Sequence, residues 1–109
     1  MKLQEMYLID KIMESQQLDS HISSERLNGQ RVHVLSSKGR LATITKHPHH
    51  FSLSMKVEDR QVYVDLDFNL NITYIDSGRW SLSDEDVINK KEFEAKVAKL
   101  LPTGLGLGK

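Results

Sequence analysis

The segment His47-Pro48-His49-His50 carries three imidazoles, the side chains that proteins most often use to bind zinc, nickel or copper. Imidazoles two positions apart on an extended strand point to the same side, so His47 and His49 form a candidate ligand pair if the backbone stays extended across Pro48. A metal site also needs a third ligand and supporting hydrogen bonds, and the spacing implies no particular carboxylate. We therefore predict a solvated hairpin loop without a metal.

Oxygen-bearing side chains between residues 65 and 76 match several ligand positions of a calcium-binding EF-hand loop. Leu70, however, stands where that loop requires glycine, and the last ligand is Asp76 rather than glutamate. A strand-like alternation also runs through the segment. We therefore expect a polar strand face, on which Asp65 and Asp67 pair with Arg or Lys across the sheet.

Nucleophilic and phosphate-transfer motifs are not found in the sequence. The chain has no cysteine, no serine lies in a nucleophile elbow, and the glycine-rich segment 104–108 neither follows a strand nor opens a helix. Acid–base catalysis needs groups that converge in a pocket, and a small barrel filled by its own side chains has little room for one. We predict that the protein is not an enzyme and uses no cofactor.

Charge is distributed unevenly along a chain whose formal net charge is zero. Residues 26–57 contain no carboxylate, whereas the segments before and after them are both acidic. The bases of this stretch are Arg26, Arg31, Lys38, Arg40, Lys46 and Lys56. Such asymmetry points to an anionic partner, unless the acidic flanks fold over the basic middle and neutralise it.

The only tryptophan, Trp80, follows Arg79 in a predicted loop. Tryptophan and arginine are enriched at binding hot spots, so both residues are candidate contacts with a partner. The alternative is that Trp80 closes one end of the domain against the C-terminal helix, as a lone tryptophan in a small domain usually does.

The first third of the chain has a helical pattern. Apolar residues at spacings of three and four predict a helix over residues 3–17, with Glu5 facing away from the core. Asp19 or Ser20 is then placed to cap a short second helical turn that runs toward Leu27.

From Gln30 the apolar period changes to two, which predicts strands. Lys38-Gly39 and residues 58–60 are predicted turns, and Pro48 interrupts the pattern between them. The alternation from Val62 to Tyr74 is long for one strand, and its Asn69-Leu70-Asn71 segment favours a bulge or bend. Five short antiparallel strands with one buried face result.

A C-terminal helix is predicted over residues 84–101, with Ser83 as its cap and Pro102 after its end. Val87 and four later apolar residues form its inward stripe. Residues 1–102 then make a single globular domain, and residues 103–109 a flexible tail.

The order of helix, five strands and helix, entered through LNGQRVHVLSSKGRLATI, resembles an SH3-like small barrel with added helices over residues 29–76 at most. We therefore expect an α+β fold in which a small five-stranded antiparallel sheet, or partly open SH3-like barrel, is flanked by an N-terminal and a C-terminal helix. Such barrels bind nucleic acids, peptides or other proteins, so the resemblance alone fixes no function.

The main functional hypothesis is a non-enzymatic regulatory binding module that uses a basic β-hairpin surface to bind an anionic partner, above all nucleic acid. The neutral pI and the single aromatic ring in the basic stretch argue against it. The candidate contact residues are Arg31, Lys38, Arg40, Lys46, His49, His50, Phe51, Lys56, Arg79 and Trp80.

The alternative hypothesis is a small adaptor or inhibitor, of the kind that phages and mobile elements encode, that docks on another protein. A homodimer in which acidic helices cover the neighbour's basic sheet is a variant of it. Glu5 and Asp10 interrupt the N-terminal apolar residues, unlike a secretory signal, and no apolar run is long enough to span a membrane. We expect a cytoplasmic protein with no membrane partner.

Overall fold

The computed structural model describes residues 2–102 and has two helices and six strands, an α+β fold. In chain order the elements are α1 (Lys2–Gln16), β1 (Ser20–Glu25), β2 (Arg31–Ser37), β3 (Arg40–Lys46), β4 (Phe51–Val57), β5 (Arg60–Leu66), β6 (Ile72–Asp76) and α2 (Asp84–Lys99). The predicted tail at residues 103–109 lies outside the described residues, and the single-domain boundary at 102 stays a prediction.

The six strands form one antiparallel sheet in which each strand pairs with the next along the chain. The expected number of five strands is wrong, because the sequence analysis missed β1. The SH3-like barrel is not confirmed either: within residues 2–102 no ladder joins β1 to β6, so the sheet is open and these two strands are its edges. Each helix contributes buried residues to the core on the apolar face of the sheet. The helices therefore cover this face, although the sheet does not close into a barrel.

The strand β1 stands where a second helical turn was predicted. Its sequence, SHISSE, has a single large apolar residue, Ile22, and no helical stripe. Serine and histidine are indifferent helix formers, while the edge of β2 offers the segment a full set of backbone partners, from Ser20 opposite Ser36 to Glu25 opposite Arg31. Pairing with a neighbour, rather than burial, therefore makes this segment a strand.

Two of the turns were predicted and are confirmed. Lys38 and Gly39 join β2 to β3 with φ of 51° and 84°, and Glu58 and Asp59 join β4 to β5 with φ of 52° and 67°. Left-handed backbone at both central positions matches the right-handed twist of the flanking strands. Glycine accepts this conformation readily, whereas Glu58 and Asp59 do so at a cost.

The predicted bend in the long alternating segment is also confirmed, since β5 ends at Leu66 and β6 begins at Ile72. The side chain of Asp67 closes this turn, because its Oδ1 accepts hydrogen bonds from the backbone N–H groups of Asn69 and Asn71, both at 2.9 Å. Leu70 adopts left-handed backbone (φ 67°) and is fully buried. The buried side chain of Leu70 holds this turn against the core, which helps to explain why the chain bends here.

One continuous core joins both helices to one face of the sheet. The strand residues of this core alternate along the chain, as in Leu53, Met55 and Val57 on β4. The other face, which we call the outer face, is covered by no helix in the described part of the chain. It carries Thr43, Ser54 and other hydroxyl side chains together with large exposed residues: Ile22, Leu41, Tyr63 and Tyr74.

The helix α2 begins and packs largely as its sequence indicates. The Oγ of Ser83 accepts a hydrogen bond from the backbone N–H of Asp86, and hydrogen bonds from Ser81 lower the pKa of the Asp86 carboxyl below its ordinary value. Phe93 and Val97 are buried, but Val87, expected to face inward, is 46% exposed. Neither helix in residues 2–102 is long and apolar enough to cross a membrane.

Candidate binding surfaces

The bases of the stretch 26–57 are divided between two ends of the sheet. We call one the histidine end, formed by the loops at residues 26–30, 47–50 and 67–71, and the other the turn end, formed by the turns 38–39 and 58–59. Seven-residue strands separate the two ends by ~20 Å. The histidine end holds Arg26, Arg31 and Lys46, and the turn end holds Lys38, Arg40 and Lys56.

Direct neutralisation by the acidic flanks affects one of these bases. The Nη2 atom of Arg31 lies 2.5 Å from the Glu25 carboxylate, and its Nε lies 4.0 Å from Glu5. The other bases of the stretch form no ion pair within 4.0 Å among the described residues. Lys46 instead places its ammonium 5.6 Å from the ring centroid of Phe68. Most of the positive charge of this stretch is therefore left without a carboxylate partner.

At the turn end, the guanidinium of Arg40 donates a hydrogen bond to the backbone carbonyl of Gln17 at 3.0 Å. Arg40 and Lys56 both line a groove of about 650 Å³, which is also lined by residues of α1 and α2 and by Thr43 and Ser54 of the sheet. Lys96 of α2 lines the same groove and is held by Glu58 through a contact of 2.7 Å. The groove thus has two bases without an ion pair and one that is neutralised.

At the histidine end, the imidazoles that come together are those of His47 and His50, whereas the sequence suggested His47 and His49. Their rings stack with centroids 4.4 Å apart and an interplanar angle of 12°. The chain does not stay extended across Pro48, because the His47 N–H donates to the His50 carbonyl at 2.8 Å. The loop therefore separates the two imidazoles that an extended strand would have aligned.

A hydrogen-bond network runs outward from this stacked pair. The Ser52 hydroxyl donates to Oδ1 of Asp65 at 3.1 Å and lies 3.0 Å from Nε2 of His47 and 3.4 Å from Nε2 of His50. Because serine has a single proton, His47 must donate from Nε2 to Ser52. Its Nδ1 then accepts from the side-chain amide of Gln30 at 2.8 Å. The network thus assigns the tautomer of His47.

This network does not have the order of a nucleophilic relay, in which the carboxylate orients the histidine and the histidine activates the serine. Here Asp65 binds Ser52 directly, and an amide orients His47. Burial, and next the neighbouring His50, lower the pKa of His47 below its ordinary value, while Asp65 opposes the shift. Neutral His47 is thereby favoured.

Residues 2–102 contain no group of three or more His, Cys, Asp or Glu side chains that could hold a metal ion. The expected ion pairs of Asp65 and Asp67 with Arg or Lys are not formed. Asp65 accepts the Ser52 hydrogen bond, and Asp67 closes its own turn. Both carboxylates are therefore used within the fold.

The residues predicted to stack on bases differ in their access to solvent. His49 is exposed in the loop and His50 is half-buried. Phe51 is fully buried and packs edge-on against Phe68, with centroids 5.1 Å apart. It therefore presents no surface to a base in this conformation.

Trp80 is half-buried and packs against Phe93 of α2, with ring centroids 5.8 Å apart. The guanidinium that stacks on it belongs to Arg60, 3.8 Å from the ring centroid, and not to Arg79. Arg60 also donates to the backbone carbonyls of Ser77 and Arg79. The contacts of Trp80 thus agree with the alternative in which it packs against the C-terminal helix. Arg79 is exposed beside it.

A buried polar chain was missed by the sequence analysis. Glu5, expected to face away from the core, is 8% exposed and lies 2.5 Å from Nε2 of His33, which is also buried. The other ring nitrogen of His33 lies 2.9 Å from Nε2 of His21 on β1. A signal was present in the helix, because Glu5 stands four and seven residues before Ile9 and Ile12, on the same face of α1.

The described part of the chain is an α+β domain with an open six-stranded antiparallel sheet, and helices cover one face of this sheet. Comparison with models of known protein families, with curated proteins and with solved structures finds no match to this chain.

Proposed function

We propose that this protein is a non-enzymatic, cytoplasmic regulatory module that binds an anionic partner, a nucleic acid, through the bases of residues 26–57. The observation that supports this proposal is the lack of ion pairs for most of these bases among the described residues, although the chain as a whole is neutral. Unpaired surface bases supply the phosphate contacts that dominate the affinity for nucleic acids.

The distance between the two ends of the sheet suits an extended ligand better than a small one. A span of ~20 Å corresponds to about six successive phosphates along one strand of B-form DNA. Lys46 at the histidine end and Lys38 at the turn end then contact different phosphates of one molecule. A compact anion reaches one end only, so affinity is expected to rise with the length of the nucleic acid.

Aromatic platforms for unpaired bases are available on the outer face. Tyr63 and Tyr74 lie on the neighbouring strands β5 and β6 and are both about half exposed. Base–tyrosine stacking is tolerant of sequence and favours single strands. Asp65 and Asp76 stand opposite the two tyrosines, so the phosphates must avoid this part of the sheet.

The test is fluorescence anisotropy with labelled single- and double-stranded DNA and RNA of two lengths, one shorter and one longer than the sheet. Measurements at low and physiological salt give the number of phosphate contacts, because each lost contact reduces the salt slope by about one. The variants are Arg26→Ala/Lys46→Ala at the histidine end and Lys38→Ala/Arg40→Ala at the turn end. Each is expected to weaken binding of the long probe and to reduce its salt slope.

The matched control is Lys90→Ala/Lys91→Ala, which removes the same charge from exposed residues of α2 outside the basic stretch. It is expected to bind nearly as the unmodified protein does. Equal loss in the control and the test variants would show a nonspecific effect of net charge, and no binding at low salt would refute the nucleic-acid proposal.

Docking on another protein, as an adaptor or inhibitor, is the second candidate. It is supported by the outer face, where exposed Ile22, Leu41, Tyr63 and Tyr74 are covered by no helix of residues 2–102. Such an interface survives physiological salt and the loss of the sheet-end bases. A partner that binds equally to the unmodified protein and to both double variants would favour this candidate.

A further inference from the structure

The edge strand β1 has a defined set of free backbone groups. In the loop that follows β1, the Arg26 N–H donates to the Gln30 carbonyl, and the Gly29 N–H donates to the Arg26 carbonyl. These bonds define a three-residue hairpin loop with a glycine bulge. Residues 26 and 30 are therefore a hydrogen-bonded pair.

In an antiparallel ladder hydrogen-bonded and non-hydrogen-bonded pairs alternate. Because residues 26 and 30 form such a hydrogen-bonded pair, the backbone N–H and C=O groups of the even-numbered residues of β1 bond to β2. The N–H and C=O groups of His21, Ser23 and Glu25 therefore point away from β2. No other segment of residues 2–102 pairs with this edge. All six residues of β1 are exposed, and the strand contains no proline, lysine or bulge that would block another strand.

A second copy of β1 fits this edge in one register better than in the others. With the two Ser23 residues opposite each other, His21 of each copy stands opposite Glu25 of the other, and all the outward backbone groups find partners. If His21 is placed opposite Ser23, fewer groups pair, and Glu25 falls opposite Asp19. The favoured register thus satisfies the outward backbone groups and places an imidazole, rather than a second carboxylate, opposite each Glu25.

We propose that the protein forms a two-fold symmetric dimer in which two β1 strands pair antiparallel about Ser23 and join the two sheets into one. The pair formed by His21 of one copy and Glu25 of the other occurs twice, once on each side of the two-fold axis, as an isologous interface requires. Glu25 is already held by Arg31 of its own chain, so its carboxylate is oriented before the copies meet. This inference does not depend on the proposed function.

The test uses the absence of cysteine from the chain. In Ser23→Cys the two introduced thiols lie on a hydrogen-bonded pair, with Cα atoms ~5.5 Å apart, which suits a disulfide. In the matched control Ser24→Cys, the residue is also an exposed serine of β1, but its Cα atoms lie roughly 8 Å apart in the dimer, too far for a bridge. Ile22→Cys reports the competing register with Ile22 opposite itself.

Under mild oxidation we expect a covalent dimer from Ser23→Cys and little from the other two variants. Preferential cross-linking of Ile22→Cys or Ser24→Cys, or equal cross-linking of all three, would overturn the proposed register. A monomer at all concentrations in sedimentation velocity, with no preference for Ser23→Cys, would overturn the dimer itself.

Charge provides a second test that needs no cysteine. His21→Glu places like charges opposite each other twice and is expected to raise the dimer dissociation constant about tenfold, whereas His21→Lys, which places a cation opposite each Glu25, is expected to preserve or tighten the dimer. Both variants lose the contact of His21 with His33, so a structural effect would change them alike. Equal dissociation constants for the two variants would contradict the proposed pairing.

Discussion

The carboxylate of Glu5 on α1 lies 2.5 Å from Nε2 of His33 on β2, and both side chains are buried between the helix and the sheet. A carboxylate can only accept, so Nε2 of His33 carries the proton. When His33 is neutral its Nδ1 is an acceptor, and His21 then donates to it from Nε2. Glu5 thereby orients two imidazoles and links α1 to the edge strand.

Replacing Glu5 with alanine is expected to lower the free energy of unfolding by about 2–4 kcal/mol, because His33 is left buried without its acceptor. The double variant Glu5→Leu/His33→Val removes both polar groups and is expected to be more stable than Glu5→Ala. Urea denaturation of Glu5→Leu, His33→Val and the double variant completes the cycle. A loss in the double variant equal to the sum of the single losses would contradict the coupling.

Stability is expected to fall in mild acid because of His47. Its pKa is lowered in the folded protein, mainly by burial, so the unfolded chain takes up this proton at a higher pH. The contribution of His47 is thus complete above the unfolded pKa of about 6.5, falls below it and levels off below the folded pKa. Urea denaturation at neutral and mildly acidic pH, on the unmodified protein and His47→Gln, is the measurement.

The loss of stability between the two pH values is expected to be smaller in His47→Gln than in the unmodified protein. The control is His49→Gln, which removes an exposed histidine of the same loop. If the pH dependence is unchanged in His47→Gln, the contribution of His47 is absent.

A substitution in the turn between β4 and β5 is expected to stabilise the protein. Asp59 adopts a φ of 67°, a conformation that glycine accepts without steric cost. Asp59→Gly should therefore raise the free energy of unfolding by about 0.5–1 kcal/mol. The matched control is Gly39→Ala in the preceding turn, where φ is 84°; it should destabilise the protein, as urea denaturation of both variants will test. Destabilisation by Asp59→Gly would show that its side chain matters more than its backbone.

Arg60 is expected to be more important for stability than Arg79. Arg60→Ala removes the stack on Trp80 and the hydrogen bonds to two backbone carbonyls, at a cost of about 1–3 kcal/mol. Arg60→Lys should recover part of this loss only, because lysine lacks the planar guanidinium. Trp80 is the single tryptophan, so its fluorescence reports both unfolding and the change at the ring.

Arg79→Ala, whose side chain is exposed, is the control for Arg60→Ala and should change stability little. Its backbone carbonyl, which accepts from Arg60, remains in the variant. Equal losses in the two variants would contradict the role assigned to the stack on Trp80.

Local patterns predicted most of the elements that bury side chains. The helices α1 and α2, the Lys38-Gly39 turn and the bend near Asn69 follow from apolar spacing and turn chemistry, which act within a few residues. The strand β1 did not follow, because Ile22 is its only large apolar residue and its backbone partners lie on β2, from Arg31 opposite Glu25 to Ser36 opposite Ser20.

The core face of β2 also depends on distant residues. It carries His33 beside Leu35, and Glu5 from α1 makes the buried position of His33 acceptable. A polar residue in a core is tolerated only when a partner satisfies it, and that partner is set by packing rather than by local sequence.

The sequence by itself determined the helix and strand periods, the turns, and a stretch of bases with no acid in it. Only the tertiary structure decided that this stretch divides between two ends of an open sheet, that Phe51 is buried and that, within the described residues, Arg31 is the one base of the stretch that forms ion pairs. The reason is that period and turn are set by neighbouring residues. The surroundings of a charge or a ring depend instead on segments distant in the chain, which the sequence does not place.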